Sequence, residues 1–295
     1  MEDKKKPGRP KKQQATTQHV VFGIVTTPEE TDNVVELHYC NPMLFKKILT
    51  LLKSFSASYV ELVFDTDTMK INAIDHLEKS SVFITVDCKY VNRYYCKEKV
   101  IVNIKLSDLE KATHTLNNNH NKIMFTLKDS FRTVIYCGFT ESTYDVEETY
   151  EITVINNQEK NYTVTYDDAG YPLKFKLGSK HFKDKIAAIG SMSENFSIQK
   201  IGTDNLEFLF TKPNGISMRS VYKDSAAIRL TSTLVENDIL NVNVIINYIY
   251  PFSNANIGRE VFIAVDKIKP LSMLTYVDQQ SNGEHVAKIH IFVEK

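Results

Sequence analysis

Asn41-Pro42-Met43-Leu44-Phe45-Lys46-Lys47-Ile48-Leu49-Thr50-Leu51-Leu52-Lys53-Ser54-Phe55 decides how the rest of this chain is read. At about 100° per residue, Leu44, Ile48, Leu51, Leu52 and Phe55 share one side of a helix, which Phe45 and Leu49 widen. Lys46, Lys47, Thr50, Lys53 and Ser54 fill the opposite arc, which holds three lysines and no acid. Asn41 is placed to cap the first turn, and Pro42 suits the first helical position, where no N–H is needed. The segment reads as a helix with a core face and an electropositive face. Surface helices ordinarily mix charge signs, so the unmixed face points to an anionic partner; a plain solvated face is the competing explanation.

Outward from this helix the chain repeats one pattern. Val34–Tyr39 alternates and predicts a strand leading in, and short β runs follow at Tyr59–Phe64, Met69–Ile74, Val82–Cys88 and Val100–Ile104, with Asp65-Thr66-Asp67 as a turn. Ser107-Asp108-Leu109-Glu110 has a capping-box pattern and opens a helix with Leu109, Ala112 and Leu116 inside, ended by Asn117-Asn118-Asn119. Strands at Ile123–Leu127, Thr133–Phe139 and Tyr150–Ile155 come next. Residues 156–171 are polar and turn-rich and predict a linker. The pattern then restarts with Leu173–Leu177 and a helix that Ser179 can cap, with Phe182, Ile186 and Ile189 inside and Lys180, Lys183 and Lys185 largely outside. Strands are expected at Phe196–Ile201, Leu206–Phe210, Ile216–Tyr222, Ala226–Leu234 and Leu240–Val244. A poorer helix, Ile245–Asn256, should be shortened or kinked by Pro251. Val261–Val265, Leu271–Val277 and Val286–Val293 close the chain. The unit recurs about every 65 residues, four times. Alternating strands with few helices predict an α+β fold with antiparallel sheets. The predicted organisation is a basic tail (1–18), an N-terminal domain (19–155), the linker (156–171) and a C-terminal domain (172–295).

Lys plus Arg and Asp plus Glu are equal at 36 each, so nucleic-acid binding requires segregated rather than excess charge. The first twelve residues hold six basic and two acidic side chains. Pro7-Gly8-Arg9-Pro10-Lys11-Lys12 is AT-hook-like: Arg9 suits a narrow minor groove, and Lys11 and Lys12 its flanking phosphates. A solvated basic tail or a localisation signal is the plainer reading. No run approaches the ~18 apolar residues of a membrane span, and the basic N-terminus has no apolar stretch behind it, so neither an anchor nor a secretory signal is expected. Cys40, Cys88, Cys96 and Cys137 lack metal-ligand spacing and read as reduced intracellular thiols. No cofactor or metal is expected.

Four strand–helix–strand units, paired into two domains by an extended linker, resemble the sliding clamps of the proliferating cell nuclear antigen (PCNA) family. Phe45–Lys53, with its lysine pair and a third lysine six positions on, is similar to the family's first helix. Asn72-Ala73-Ile74-Asp75 with Val82–Val86 resembles its serine-methionine-aspartate segment and the following strand. Leu106–His114 resembles its second helix and Lys288–Val293 its last strand. Among clamps the chain looks closest to those of large DNA viruses of the asfarvirus kind, through the Gly-Arg-Pro tail, the Asn41-Pro42 helix start and Val91-Asn92-Arg93-Tyr94-Tyr95.

The resemblance implies a DNA-clamp fold: two similar domains, each of two β-α-βββ units, with sheets outside and helices lining a homotrimeric ring. It implies sequence-independent binding of double-stranded DNA by Lys46, Lys47, Lys53, Lys180, Lys183 and Lys185, and more weakly by Lys105, Lys111 and His114. The fourth helix, with Asn247, Tyr248, Asn254 and Asn256, adds no basic charge, and Arg259 lies just beyond. It further implies a pocket for short hydrophobic peptides of DNA polymerase and other replication and repair clients, at Ile74, Leu77, Tyr162, Val164, Ile257, Phe292 and Val293. For each of these alone, a core role is the simpler reading. Subunit edges are expected near Val134–Phe139 and Ile216–Tyr222, and the work site in host cytoplasm or nucleus.

Two other functions compete. One is a monomeric, non-catalytic processivity factor or scaffold with the same fold. The other is a metal-dependent nuclease using Asp65 and Asp67, or Asp167 and Asp168. Both aspartate pairs sit in predicted turns, where Asp is favoured for backbone reasons, and no phosphate loop or nucleophile motif accompanies them. The chain is therefore expected not to be an enzyme.

Overall fold

The computed structural model describes residues 32–141, 146–155, 170–203, 205–212, 215, 217–225, 228–279 and 284–294. Arg9, Lys11, Lys12, Tyr162, Val164, Asp167 and Asp168 lie outside them.

The β-α-βββ unit occurs four times. β1 (Asn33–Tyr39), α1 (Pro42–Ser54), β2 (Tyr59–Phe64), β3 (Thr68–Ile74) and β4 (Ser80–Asp87) form the first. After a short strand, β5 (Arg93–Cys96), the second runs through β6 (Val100–Lys105), α2 (Leu106–Ala112), β7 (His120–Lys128), β8 (Val134–Glu141) and β9 (Val146–Thr153). The third is β10 (Leu173–Gly178), α3 (Ser179–Gly190), β11 (Asn195–Ile201), β12 (Leu206–Thr211) and β13 (Ser217–Tyr222). After the three-residue β14 (Leu230–Ser232), the fourth is β15 (Ile239–Ile245), α4 (Ile246–Ala255), β16 (Glu260–Val265), β17 (Leu271–Gln279) and β18 (His285–Val293).

Each unit splits its strands between two sheets. The orders are β5-β1-β7-β8-β9, then β14-β10-β16-β17-β18-β4-β3-β2-β6, then β13-β12-β11-β15. The leading strand of a unit therefore joins the three-strand meander of its sister unit, and the intervening helix carries the chain from one sheet to the other. The two halves meet where β4 pairs antiparallel with β18, from Val86↔Ala287 to Ser80↔Val293. One hydrophobic core is continuous across that seam, including Ile84, Ile289 and Ile291.

Pleating sorts the nine-stranded sheet. The rung Phe175, Ile263, Met273, Ile291, Val82 and Ala73 is buried in the core. The adjoining rung, Lys174, Ala264, Ser272, Phe292, Ser81 and Ile74, therefore takes the opposite face.

Several expectations change. α1 forms as read, with the Leu44 amide donating to Asn41 Oδ1 at 3.1 Å. The caps of α2 and α3 differ: β6 and β10 run straight into their helices, so Lys105 and Gly178 hold the cap positions. Ser107 lies inside the first turn of α2, and Ser179, at the first turn of α3, is buried with its hydroxyl unpaired among the described residues. α2 ends at Ala112, before His114 and Leu116. Pro251 does not cut α4 short; it is buried within a helix that continues to Ala255. β14 covers only Leu230–Ser232 of the expected Ala226–Leu234 strand. β5 was not expected. It has no apolar alternation and is held on β1 by a 3.0 Å ion pair from Arg93 to Glu36. The expected edge at Val134–Phe139 is corrected too: β8 lies between β7 and β9, so β9 is the edge strand. Among the described residues β13 pairs only with β12 and is an edge, as expected.

Gly258 shows why one turn needs glycine. It follows α4 at φ 79°, and a Cβ there would run into Thr275 Oγ1 and the Tyr276 carbonyl. Gly258→Ala should cost about 1–3 kcal/mol, for strained backbone plus a forced shift of β17. Urea denaturation measures it, and a midpoint equal to that of the parent chain contradicts the argument.

Candidate nucleic-acid interface and partner pocket

The four helices adjoin in the order α2-α1-α4-α3. Lys46 near the start of α1 donates to the Leu116 carbonyl, beyond the end of α2. Lys53 near the end of α1 pairs with Glu110 inside α2, at 3.5 Å. The two helices therefore run antiparallel. α3 and α4 do the same, since Lys183 near the start of α3 reaches the Asn254 carbonyl near the end of α4 at 3.4 Å. The starts of α1 and α3 and the ends of α2 and α4 thus share one end of the row. The positive ends of two helix dipoles and the negative ends of the other two lie there, so the dipoles largely offset one another.

The basic side chains are not equivalent. Lys46 is half-buried and spent on a backbone carbonyl. Lys53 faces Glu110, and Lys111 is offset by Asp108 at 3.5 Å. Lys185 donates to Ser220 Oγ of β13 at 3.1 Å, which turns it toward the sheet edge. Lys47, Lys105, His114 and Lys180 are exposed and have no partner among the described residues. Arg259, just past α4, shares that condition. Paired surface ions keep their net attraction for an anion only in part, so the unpaired cations dominate the local field.

The pocket residues also separate. Ile74 and Phe292 lie on one rung of the sheet face turned from the core, with Ser81 between them. Phe292 packs against His290 at 4.1 Å and Phe83 at 6.2 Å, and His290 Nε2 meets Ser272 Oγ at 2.7 Å. Leu77, in the β3–β4 turn, is 55% exposed. Val293 and Ile257 are not part of this group. Val293 alternates into the core, and Ile257 is buried beyond α4, where Thr275 Oγ1 donates to its carbonyl. Sequence reasoning missed Ile268, which is 93% exposed in the turn between β16 and β17. That turn and the β3–β4 turn flank the end of β18 at the same end of the sheet. The alternation in Lys288–Val293, which puts Phe292 and Val293 on opposite faces, was the signal that would have divided the set.

The aspartates of the nuclease reading sit as turn residues. Asp65 Oδ1 accepts from the Thr66 amide at 2.9 Å, and that bond holds its carboxyl below the usual range. Among the described residues no group of three or more His, Cys, Asp and Glu is placed to hold a metal. The four cysteines are free; Cys88 and Cys137 are buried, and burial pushes the Cys88 thiol up to about 12. No helix among the described residues is long and apolar enough to cross a membrane.

Comparison with known proteins agrees with this architecture. Residues 34–161 match the family model of the proliferating cell nuclear antigen, N-terminal domain. The chain is 27% identical over 269 residues to uncharacterized protein E301R of African swine fever virus (isolate Tick/Malawi/Lil 20-1/1983), covering 88% of this chain and 89% of the viral one. It is 26% identical over 269 residues, with the same coverage, to E301R of the isolate Pig/Kenya/KEN-50/1950. The clamps of this family are non-catalytic. With four β-α-βββ units and antiparallel sheets, and with residues 34–161 matching the PCNA N-terminal domain, the chain has the α+β clamp fold and is similar along most of its length to the African swine fever virus protein.

Proposed function

We propose that this protein is a sliding clamp: three copies close into a ring around duplex DNA and tether polymerase and other replication and repair enzymes. The observation that carries the reading is the single row of four helices with Lys47, Lys105, Lys180 and Arg259 exposed and unpaired among the described residues. Cations that meet phosphates attract without reading bases, so a ring lined this way holds DNA yet slides. The two edge strands support closure. β9 carries Glu147, Glu148 and Glu151, whereas β13 is flanked by Lys223 at its end and Lys212 just past β12, and its Arg219 is shared with Glu207 of β12. Val146 on β9 is 45% exposed and Val221 on β13 is 46% exposed. Pairing β9 of one copy with β13 of the next is a heterologous contact that closes by rotation and removes both edges. Client peptides would dock on the Ile74, Leu77, Phe292 and Ile268 surface, where the exposed Leu77 and Ile268 flank the half-buried Ile74 and the buried Phe292 ring.

Native mass spectrometry at micromolar concentration tests the ring. Three chains are expected; a single chain would favour the monomeric processivity factor. Loaded protein should leave linear DNA quickly and closed circular DNA slowly. Equal rates of departure from both would show adhesion without enclosure.

A further inference from the structure

We propose that the cleft between the start of α1 and the α4–β16 turn is a seat for one phosphodiester of the DNA backbone, held by Lys47 and Arg259. The cleft encloses about 840 Å³ and is lined by both of these side chains, which come from opposite halves of the chain. Each is exposed, and neither has a carboxylate or carbonyl partner among the described residues. In this they differ from Lys46, Lys53, Lys111, Lys183 and Lys185, which the fold has already engaged. The one acid lining the cleft, Glu260, is occupied by Lys176 at 2.6 Å. Among the described residues, the cleft thus presents two uncompensated cations and no free carboxylate. α1 opens beside it with no acid in its first turn, but the negative end of α4 offsets that dipole, so the field of the cleft rests on the two side chains. His285, stacked on Tyr276 at 4.5 Å, also lines the cleft, and Tyr276 presents its ring there.

The chemistry favours a phosphate ester over a carboxylate peptide. A guanidinium and an ammonium at one opening suit a tetrahedral anion with several acceptor oxygens, and Arg matches phosphate by parallel N–H donors. The position adds a second argument. The cleft lies at the α1–α4 seam, on the end of the helix row that also carries Lys180 and Lys183. Of the exposed cations with no partner among the described residues, Lys47, Lys180 and Arg259 stand at this end and Lys105 at the other, so a backbone tracking past the helices would meet more uncompensated charge here. This assignment rests on the clamp reading and refines it, because the expected set of DNA-facing residues contained Lys47 but not Arg259.

Anisotropy of a labelled blunt duplex, titrated with the full chain at several salt concentrations, tests the seat. Arg259→Ala and Lys47→Ala should each lower the magnitude of the log K versus log salt slope by about 0.9 for each phosphate that is no longer neutralised. Arg259→Lys should restore most of the slope, and Lys99→Ala, an exposed cation of the β5–β6 connection that does not line the cleft, should leave it near that of the parent chain. A parent chain that binds duplex with a slope unchanged by Arg259→Ala would overturn the seat while leaving the clamp reading standing. A parent chain with no duplex affinity would overturn the seat, while the clamp reading is decided by the comparison of circular with linear DNA. A second arm measures inorganic phosphate by ³¹P line broadening. If Arg259→Ala abolished that broadening but left duplex binding intact, the cleft would hold free phosphate, and the DNA assignment would be overturned. Both side chains are exposed, and a thermal melt matching the parent chain confirms that each variant is folded.

Discussion

Val221→Asp is expected to turn a three-chain particle into single chains. Val221 is an exposed apolar residue on an edge strand, and its neighbours along β13 are Ser220 and Tyr222. If β13 pairs with β9 of the next copy, the new carboxylate enters an interface already holding Glu147, Glu148 and Glu151. Like charges facing each other across an interface cost several kcal/mol, and every 1.4 kcal/mol is about tenfold in the dissociation constant. A penalty of about 3 kcal/mol at each interface therefore moves assembly beyond micromolar concentrations. Val221→Lys removes the same apolar area but adds the opposite charge, so it should weaken the ring much less. Sedimentation velocity of the two variants reads the difference directly. Trimers of equal stability in both would place the subunit interface on other strands.

Phe208→Ala is the second large effect. Phe208 is fully buried, with its ring 4.9 Å from Tyr222, 5.3 Å from Phe196 and 6.0 Å from Phe175. These rings come from β13, β11 and β10, so one side chain binds the four-stranded sheet to the nine-stranded one. Truncation removes the burial and leaves a cavity among rigid rings that collapse poorly. The expected cost is about 3–5 kcal/mol, against a total stability of about 5–15 kcal/mol for a typical domain. The urea midpoint should fall sharply at constant slope. Because Tyr222 terminates β13, trimer formation should weaken as well. A change below about 1 kcal/mol would mean that the surrounding rings close the gap.

Much of the fold was legible because local periodicity and tertiary burial agree. The apolar face read for α1 is the buried face, and the Asn41 cap forms as its chemistry requires. The fourfold unit could be counted because each repeat carries its own alternation and its own helix. What failed depended on neighbours distant in sequence. Ser107 and Ser179 have capping chemistry, but a strand that enters a helix without a loop leaves no room for a cap at that position. β5 owes its existence to β1 and Glu36, not to its own four residues. β8 looked like an edge because its sequence cannot report that β9 follows it in the sheet.

The sequence by itself determined the repeat, the helices and the positive outward face of α1, because these follow from side-chain spacing over one or two turns. Only the tertiary structure decided which of those charges remain available. Lys46 is taken by a carbonyl seventy positions away, and Lys53 by a carboxylate on the next helix, whereas Lys47 and Arg259 meet at one cleft. Compensation of charge depends on distances through space, and those are set when the two halves join at β4 and β18.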